Sequence, residues 1–164
     1  MSDANDTKIN IEEVFENFKK DATLNSNLDI EGMLENVKDD NGDLENKTLN
    51  DIMDTNMEIL KTIGLDDDVF KKYCEKLVDY RYVDDLYQLK PGRFIRWVNK
   101  KNQLTNGAIV ADIVFRELGT NIMCKNTNQR CLQLKFDDNI IFQKLTQDEQ
   151  LVLMAYEYIE KNVD

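Results

Sequence analysis

The strongest constraint on the fold is a change in the spacing of apolar residues at Pro91, the only proline of the chain. Before Pro91, apolar residues recur at intervals of three and four, which is typical of helices with one buried stripe. After it, apolar and polar residues alternate, which is typical of strands with one buried face. The 164-residue chain is therefore predicted to be an α+β protein, with an acidic helical region at residues 1–88 and a β-rich domain at residues 89–164.

Four helices are expected in the first region. The first two have apolar stripes at Ile11–Phe18 and Ile30–Val37, and the acidic loop Asp39–Asp43 follows them. A third helix is expected to begin near Thr48, and its inward residues are Leu49, Ile52, Met53, Leu60 and Ile63. A fourth helix is expected to begin at Asp66, and its buried stripe is Val69, Phe70, Tyr73, Cys74 and Leu77. The acidic residues at its start suit the positive end of a helix dipole.

The second region contains five short apolar runs between residues 92 and 145. Asn106–Gly107 predicts a hairpin turn between two of the strands. The strand after this turn alternates, and its buried face is expected to carry Ile109, Ala111, Ile113 and Phe115. Five strands this short favour a closed five-stranded antiparallel barrel of the SH3 or Tudor type over an immunoglobulin sandwich, which needs about seven. Thr146–Glu149 is a capping box, so a buried C-terminal helix is predicted to follow.

The formal net charge of −11 is unevenly distributed. Residues 1–70 contain 6 basic and 19 acidic side chains, whereas residues 91–136 contain 8 basic and 2 acidic ones. A basic segment inside an acidic chain can bind phosphate groups, a protein partner or the acidic part of its own chain. No apolar run approaches the ~18 residues that a membrane-spanning helix requires. The polar, acidic N-terminus predicts neither a secretory signal nor a transit peptide.

Catalytic and metal-binding motifs are poorly supported. Histidine is absent from the sequence, which removes the commonest general base and a common metal ligand. Tyr82–Leu86 resembles the Tyr-x-Asp-Asp box of reverse transcriptases, but the chain is too short for a polymerase, and a solvent-facing acidic helix end is expected. Asp39–Asp43 lacks the glycine and glutamate that an EF-hand requires downstream. Cys124 and Cys131 flank one predicted hairpin loop, but only Cys74 remains to join them, so no zinc site is predicted. No cofactor or enzymatic activity is predicted either, and a hydrolase that relies on lysine or carboxylates instead of histidine is the alternative left open.

The best candidate site is the basic part of the β domain. Its predicted binding residues are Arg93, Arg96, Trp97, Lys100, Lys101, Lys125 and Arg130. Aromatic and basic side chains together on a small barrel can stack on bases and follow phosphates. Strand alternation places Arg93 and Trp97 on one face and Phe94 and Arg96 on the other, and one of these faces must be the core. The alternative is therefore that the aromatic residues are core and the arginines pair with acidic helices.

Several short blocks of the second region carry a resemblance to a known family: Gly92–Trp97, Leu104–Gly107, Met123–Asn126, Ile141–Leu145 and Asp148–Glu149. Through them, residues 89–160 resemble an uncharacterised protein family of nucleocytoplasmic large DNA viruses of the marseillevirus and mimivirus kind. The family has no established catalytic motif. The resemblance implies a location in the host cytoplasm, the virus factory, the host nucleus or the virion.

The function predicted from these features is a non-catalytic binding or adaptor module for a viral or host protein. The alternative is a nucleic-acid-binding factor for packing or transcribing a viral genome. Homo-oligomerisation is left open, and no insertion into a membrane is predicted. The absence of catalytic residue sets and the separation of charge along the chain motivate this prediction.

Overall fold

A computed structural model describes Leu44 and residues 47–162 of the chain. These residues form an α+β structure with three α-helices and one six-stranded antiparallel sheet. The helices are α1 (Leu49–Lys61), α2 (Asp67–Lys76) and α3 (Gln147–Asn162). The strands are β1 (Tyr80–Tyr82), β2 (Phe94–Val98), β3 (Ala108–Arg116), β4 (Gly119–Lys125), β5 (Cys131–Lys135) and β6 (Ile140–Lys144). The two helices predicted before residue 38 and the acidic loop Asp39–Asp43 lie outside the described residues.

The chain divides into two compact units. One unit is Asn50–Leu145, and the other combines Met1–Leu49 with Thr146–Asp164. The first unit contains the whole sheet, α2 and almost all of α1. The predicted division between residues 88 and 89 stays a prediction.

The sheet is open, and its strand order is β1-β6-β2-β3-β4-β5. All neighbouring strands are antiparallel. The five strands predicted from the sequence are present, but the prediction of a closed five-stranded barrel is wrong in strand number and in closure. The additional strand, β1, has three residues, Tyr80–Tyr82, which is too short for alternation to reveal it. Strands β1 and β5 are the two edges.

Two apolar clusters cover the two faces of the sheet. Strand β2 contributes to both, because Ile95 and Trp97 face one cluster while Phe94 and Val98 face the other. The first cluster joins residues from β2 to β6, and its buried members include Ala108, Val110, Ile122, Cys124, Leu134 and Ile141. The second cluster joins α1 and α2 to β1, β2 and β6, and its buried members are Leu60, Leu77, Tyr80, Val98 and Phe142. Burial on both faces explains the nearly continuous apolar character of β2.

The predicted buried face of β3 is wrong at the start of the strand. Ala108 and Val110 are buried, whereas Ile109 is 48% exposed. The pairing of β3 with β4 shifts between Val110 and Asp112, so Ile113 returns to the side of the first cluster. A β-bulge of this kind reverses the faces of the residues that follow it. The prediction assumed strict alternation through the whole strand and therefore assigned Ile109, which precedes the bulge, to the wrong face.

Helices α1 and α2 form where the apolar spacing predicted them. Of the predicted buried stripe of α2, Phe70, Tyr73 and Cys74 are half-buried against the second cluster, and only Leu77, just after the helix, is fully buried. On α1, Ile52 and Leu60 are buried as expected, but Met53 is exposed. The inward position between Ile52 and Leu60 is taken by Asn56, which is buried.

Helix α3 begins with the predicted capping box. The Thr146 amide donates to a carboxylate oxygen of Glu149 (2.9 Å), and the Glu149 amide donates to the Thr146 hydroxyl oxygen (3.1 Å). Each residue thus satisfies a backbone donor of the other. Val152, Leu153 and Ala155 of this helix are buried. In the part of the chain that the structure describes, none of the helices has the length and apolar character needed to cross a membrane.

Candidate functional site

The aromatic member of the predicted site, Trp97, lies in the first core cluster. Its side chain is 8% exposed and packs with residues from several strands. Its backbone N–H donates to the hydroxyl oxygen of Thr105 (3.2 Å). An indole in this position fills the core, so its face is not presented to a nucleic-acid base. Phe94, on the other side of β2, packs against the second cluster.

Two of the three predicted arginines, Arg93 and Arg96, are tied to the backbone of the sheet unit. The Arg93 guanidinium donates to the Lys144 carbonyl (2.7 Å). Arg96 Nε donates to the Thr105 carbonyl (2.9 Å) and thereby holds the β2–β3 loop against its own strand. Both side chains are half-buried. A charge-assisted hydrogen bond of this kind contributes about 1.5–3 kcal/mol, so both arginines have a structural role.

Lys100 and Lys101 lie in the loop that follows β2, and both side chains are exposed. Lys100 Nζ is 3.4 Å from a carboxylate oxygen of Asp138, and the Lys100 side chain remains 73% exposed. An ion pair this exposed contributes at most about 1 kcal/mol. The loop itself is held by Tyr73 of α2, whose hydroxyl donates to the Asn102 carbonyl (2.9 Å).

Lys125 and Arg130 lie at the opposite end of the sheet unit, at the β4–β5 hairpin. Lys125 is paired with Ile109 on β3 and with Cys131 on β5. Ile109 is in turn paired with Phe94, the first residue of β2. Lys125 is therefore in register with the first residue of β2, whereas Lys100 lies just after the last one. The structure therefore separates Lys100 and Lys101 from Lys125 and Arg130, which both belong to the β4–β5 hairpin.

A side-chain network fixes the β4–β5 turn. The side-chain oxygen of Asn126 accepts from the amides of Asn128 (3.0 Å) and Arg130 (2.9 Å). The Asn126 amide donates to the Arg130 carbonyl (3.0 Å). Gln129 has a φ of 64°, a left-handed conformation that a tight turn imposes on a non-glycine residue. Arg130 therefore extends from an ordered turn.

Six exposed residues at this edge of the sheet define what we call the hairpin surface: Ile109, Lys125, Arg130, Cys131, Gln133 and Lys135. One exposed acidic residue, Asp112, lies beside it in the row of Met123 and Gln133. The three cations of the hairpin surface come from β4, the turn and β5. On β5, the exposed residues alternate with Leu132 and Leu134, which pack towards the first cluster. Sequence reasoning missed Lys135, although the alternation of β5 places it on the same face as Cys131.

A second exposed apolar feature is the tip of the β3–β4 hairpin. Phe115 is 74% exposed and Leu118 is 93% exposed. The prediction that Phe115 lies on a buried face is therefore wrong. Strand β3 continues past its pairing with β2, which ends at Ile109, and the tip projects beyond the apolar clusters.

The Tyr82–Leu86 segment has a structural role and is not a helix end. Tyr82 ends β1, and the side chain of Asp85 caps a short 3-10 helix by accepting from the Tyr87 amide (3.4 Å). Asp84 accepts from the side-chain amide of Gln88 (2.6 Å). Among the described residues, no group of three or more cysteine, aspartate or glutamate side chains is placed to hold a metal ion.

The cysteines differ in burial and in reactivity. Cys131 is exposed and pairs with Lys125, whereas Cys124 is buried and pairs with Leu132. The two thiols therefore lie on opposite faces of the hairpin. Burial raises the pKa of the Cys124 thiol to about 11. Burial also raises the pKa of the half-buried Cys74 thiol, and the charge of Lys61 opposes that shift.

We expect iodoacetamide at pH 8 to alkylate Cys131 first and Cys124 last. The thiolate is the reacting species, and a pKa two units above the usual value lowers its population about 100-fold. Burial slows Cys124 further. Mass spectrometry of timed samples measures the order, and denatured protein, in which all three thiols react, is the control. Labelling of native Cys124 at the rate of Cys131 would contradict the structure.

Comparisons with other proteins give no family assignment: no family model matches, and neither a curated protein nor a solved structure shows a significant match.

Proposed function

We propose that this chain is a non-catalytic binding or adaptor module that holds a protein partner on the hairpin surface. The observation that supports it most is the row formed by Cys131, Lys125 and Ile109 on neighbouring strands, all of them exposed. Lys135, at the far end of β5, and Arg130, at the turn before it, add two further cations near this row. Exposed aliphatic and cationic side chains on a rigid sheet suit contact with the acidic and apolar groups of another protein.

A nucleic-acid-binding factor for genome packing or transcription is the second candidate. The excess of basic residues in residues 91–136 favours it. Non-specific binding of single strands normally combines such charges with exposed aromatic faces. Trp97 is in the core, and the basic hairpin surface contains no aromatic residue. We therefore favour a protein partner.

The cellular setting that we propose follows from the sequence resemblance alone. A partner from a large DNA virus or from its host would be met in the host cytoplasm or virus factory, with the host nucleus and the virion as further sites. Homo-oligomerisation, which the sequence leaves open, belongs to the same proposal.

The double variant Lys125→Glu/Arg130→Glu is expected to lose at least about 10-fold of its binding to the partner. It reverses the charge of two of the three basic residues of the hairpin surface, and like charges across an interface cost several kcal/mol of binding free energy. The variant should keep its stability within about 0.5 kcal/mol, because both side chains are exposed. The control Lys71→Glu/Lys72→Glu makes the same change of charge on exposed residues of α2.

The measurement has two parts. The full-length protein and both variants capture proteins from infected cells, and every candidate is then purified and its affinity measured by titration calorimetry. A gel shift with single-stranded DNA and RNA is run in parallel at low and high salt. Equal affinity of a partner for the wild type and the hairpin variant would contradict the proposal. A salt-dependent gel shift that the hairpin variant alone loses would establish the nucleic-acid alternative instead.

A further inference from the structure

We propose that the partner binds by adding a strand to β5, using an extended segment in which acidic and apolar residues alternate. This inference rests on the proposed function and specifies how the partner is held. It combines three observations: the β1 edge is closed, the β5 edge is open, and the residues around β5 are basic. Each is a property of the sheet unit alone.

The β1 edge is closed by one side chain. Asn56 of α1 donates its amide N–H to the Tyr80 carbonyl (2.9 Å) and accepts from the Tyr82 amide (2.9 Å). These contacts reproduce the two hydrogen bonds that a neighbouring strand would make. Since Asn56 is buried, the helix covers this edge and prevents strand addition there.

The hydrogen-bonding pattern of β5 with β4 follows from the pair that closes the hairpin turn. The Asn126 amide donates to the Arg130 carbonyl, so this pair is hydrogen-bonded. Bonded and non-bonded pairs alternate along an antiparallel ladder. Counting along the register from the turn, the next bonded pairs are Cys124 with Leu132 and Ile122 with Leu134.

The backbone groups of the remaining β5 residues must then point away from β4. These residues are Cys131, Gln133 and Lys135, and all three are exposed. The Lys135 carbonyl accepts from the side chain of Asn139 (2.8 Å). The N–H and C=O groups of Cys131 and Gln133 and the N–H of Lys135 therefore offer an exposed pattern that an extended peptide can pair with.

The side chains beside this edge determine the chemistry of the added strand. One face carries Lys125 and Lys135, and Arg130 adds a third cation at the turn that precedes β5, so the residues of the segment that lie on this face should be acidic. The other face continues the apolar side of Leu132, which is half-buried in the first cluster, so the intervening residues should be apolar. A segment of about five residues matches the five residues of β5.

A second copy of the chain is a poor occupant of the same edge. Antiparallel pairing of β5 with another β5 about its central residue, Gln133, would place Lys135 of each copy opposite Cys131 of the other, in the row that also carries Lys125. Cations of the two copies would therefore share one row, and lysines on an exposed edge are a known protection against such pairing. An acidic segment reverses the sign of this interaction.

The test titrates the full-length, ¹⁵N-labelled protein with an end-capped nine-residue peptide of alternating valine and glutamate. The expected result is saturable binding, with hydrogen exchange at the Cys131 and Gln133 amides slowed at least 10-fold. A peptide with lysine in place of glutamate should bind at least 10-fold more weakly. A peptide methylated at the backbone nitrogens that face β5 should also lose at least 10-fold, because it cannot pair with the edge.

Gln133→Pro tests the same edge from the protein side. The Gln133 amide points outwards, so proline removes no bond to β4 and the fold should persist, while binding of the peptide should fall at least 10-fold. Gln133→Ser keeps the N–H and should bind as the wild type does. Should Gln133→Pro fail to fold, the methylated peptide provides the same comparison without any change to the protein.

Three results would overturn strand addition. They are no binding of the Val-Glu peptide at millimolar concentration, equal binding of the methylated peptide, and equal binding of the lysine peptide. A dimer that forms through β5 and excludes the peptide would overturn it as well. The proposed function is judged by a separate comparison. If a natural partner no longer binds Lys125→Glu/Arg130→Glu but still binds Gln133→Pro, the hairpin surface holds the partner without strand addition.

Discussion

Replacing Gly107 by alanine is expected to lower the free energy of unfolding by about 3 kcal/mol. Gly107 has a φ of 94°, where an L residue is strained by about 1–2 kcal/mol. An added methyl group would also collide with the Ile95 carbonyl oxygen and approach two ring carbons of Phe94 at 2.7 and 2.8 Å. Overpacking of this kind costs about 1–3 kcal/mol.

The collision is difficult to relieve because Ile95 is fixed on both sides. It pairs with Ala108 on β3 and with Gln143 on β6, and its side chain is fully buried. The backbone oxygen cannot retreat without disturbing the centre of the sheet. The ring of Phe94 has more freedom, so the backbone contact accounts for most of the expected loss.

Gly92→Ala is the matched control for this prediction. Gly92 has nearly the same φ, 87°, but an added Cβ would meet no atom within 4 Å. Its replacement should therefore show the conformational strain alone, about 1 kcal/mol. Urea unfolding of both variants measures the difference, and equal losses would show that the collision at Gly107 is relieved by a small movement of the loop.

Gly107 also shows where sequence reasoning reached its limit. The dipeptide Asn106–Gly107 predicts a hairpin turn, and β2 and β3 do form an antiparallel pair, but their connection covers residues 99–107 and includes a bridge between Val98 and Leu104. The chain therefore turns before Asn106–Gly107, and the predicted position of the turn is wrong. The glycine is required by the close approach of the chain to Ile95 and Phe94, a tertiary contact that local sequence does not encode.

Five of the six strands were predictable because their residues alternate or form apolar runs bounded by turns, whereas the three-residue β1 was not. That the sheet is open was not predictable, since closure depends on whether the two edge strands pair with each other. The face of Ile109 was also missed, because one bulge at residues 110–112 shifts the pairing of β3. For the candidate site, Lys125 and Arg130 were identified from their charge. The burial of Trp97 could not be predicted, because the sequence does not show which face of β2 each cluster covers.

Replacing Asn56 by alanine is expected to lower the free energy of unfolding by about 3 kcal/mol. The substitution removes the partners of the Tyr80 carbonyl and the Tyr82 amide at once. Each backbone group left without a partner in a buried site costs about 1–3 kcal/mol. The cavity left by the amide is small, and a water molecule that enters it would place the loss at the low end of this range.

The control for this variant is Thr55→Ala, at the neighbouring position of α1. Thr55 is exposed, and its hydroxyl donates to the Asp51 carbonyl one turn earlier in the same helix. Its replacement should change the stability by no more than about 0.5 kcal/mol. Urea unfolding gives the free energies, and hydrogen exchange identifies the Tyr82 amide as the group that loses protection in Asn56→Ala.

The same variant separates the two edges of the sheet. If Asn56 closes β1 independently of β5, Asn56→Ala should bind the Val-Glu peptide with unchanged affinity at β5, at temperatures where the variant is folded. Opening the β1 edge could also create a second site, because the Tyr80 carbonyl and the Tyr82 amide would become available for pairing. A second set of peptide-induced shifts, confined to β1 and absent from the wild type, is the expected sign of this. A Tyr82 amide that exchanges as slowly in Asn56→Ala as in the wild type would show that another group protects this edge.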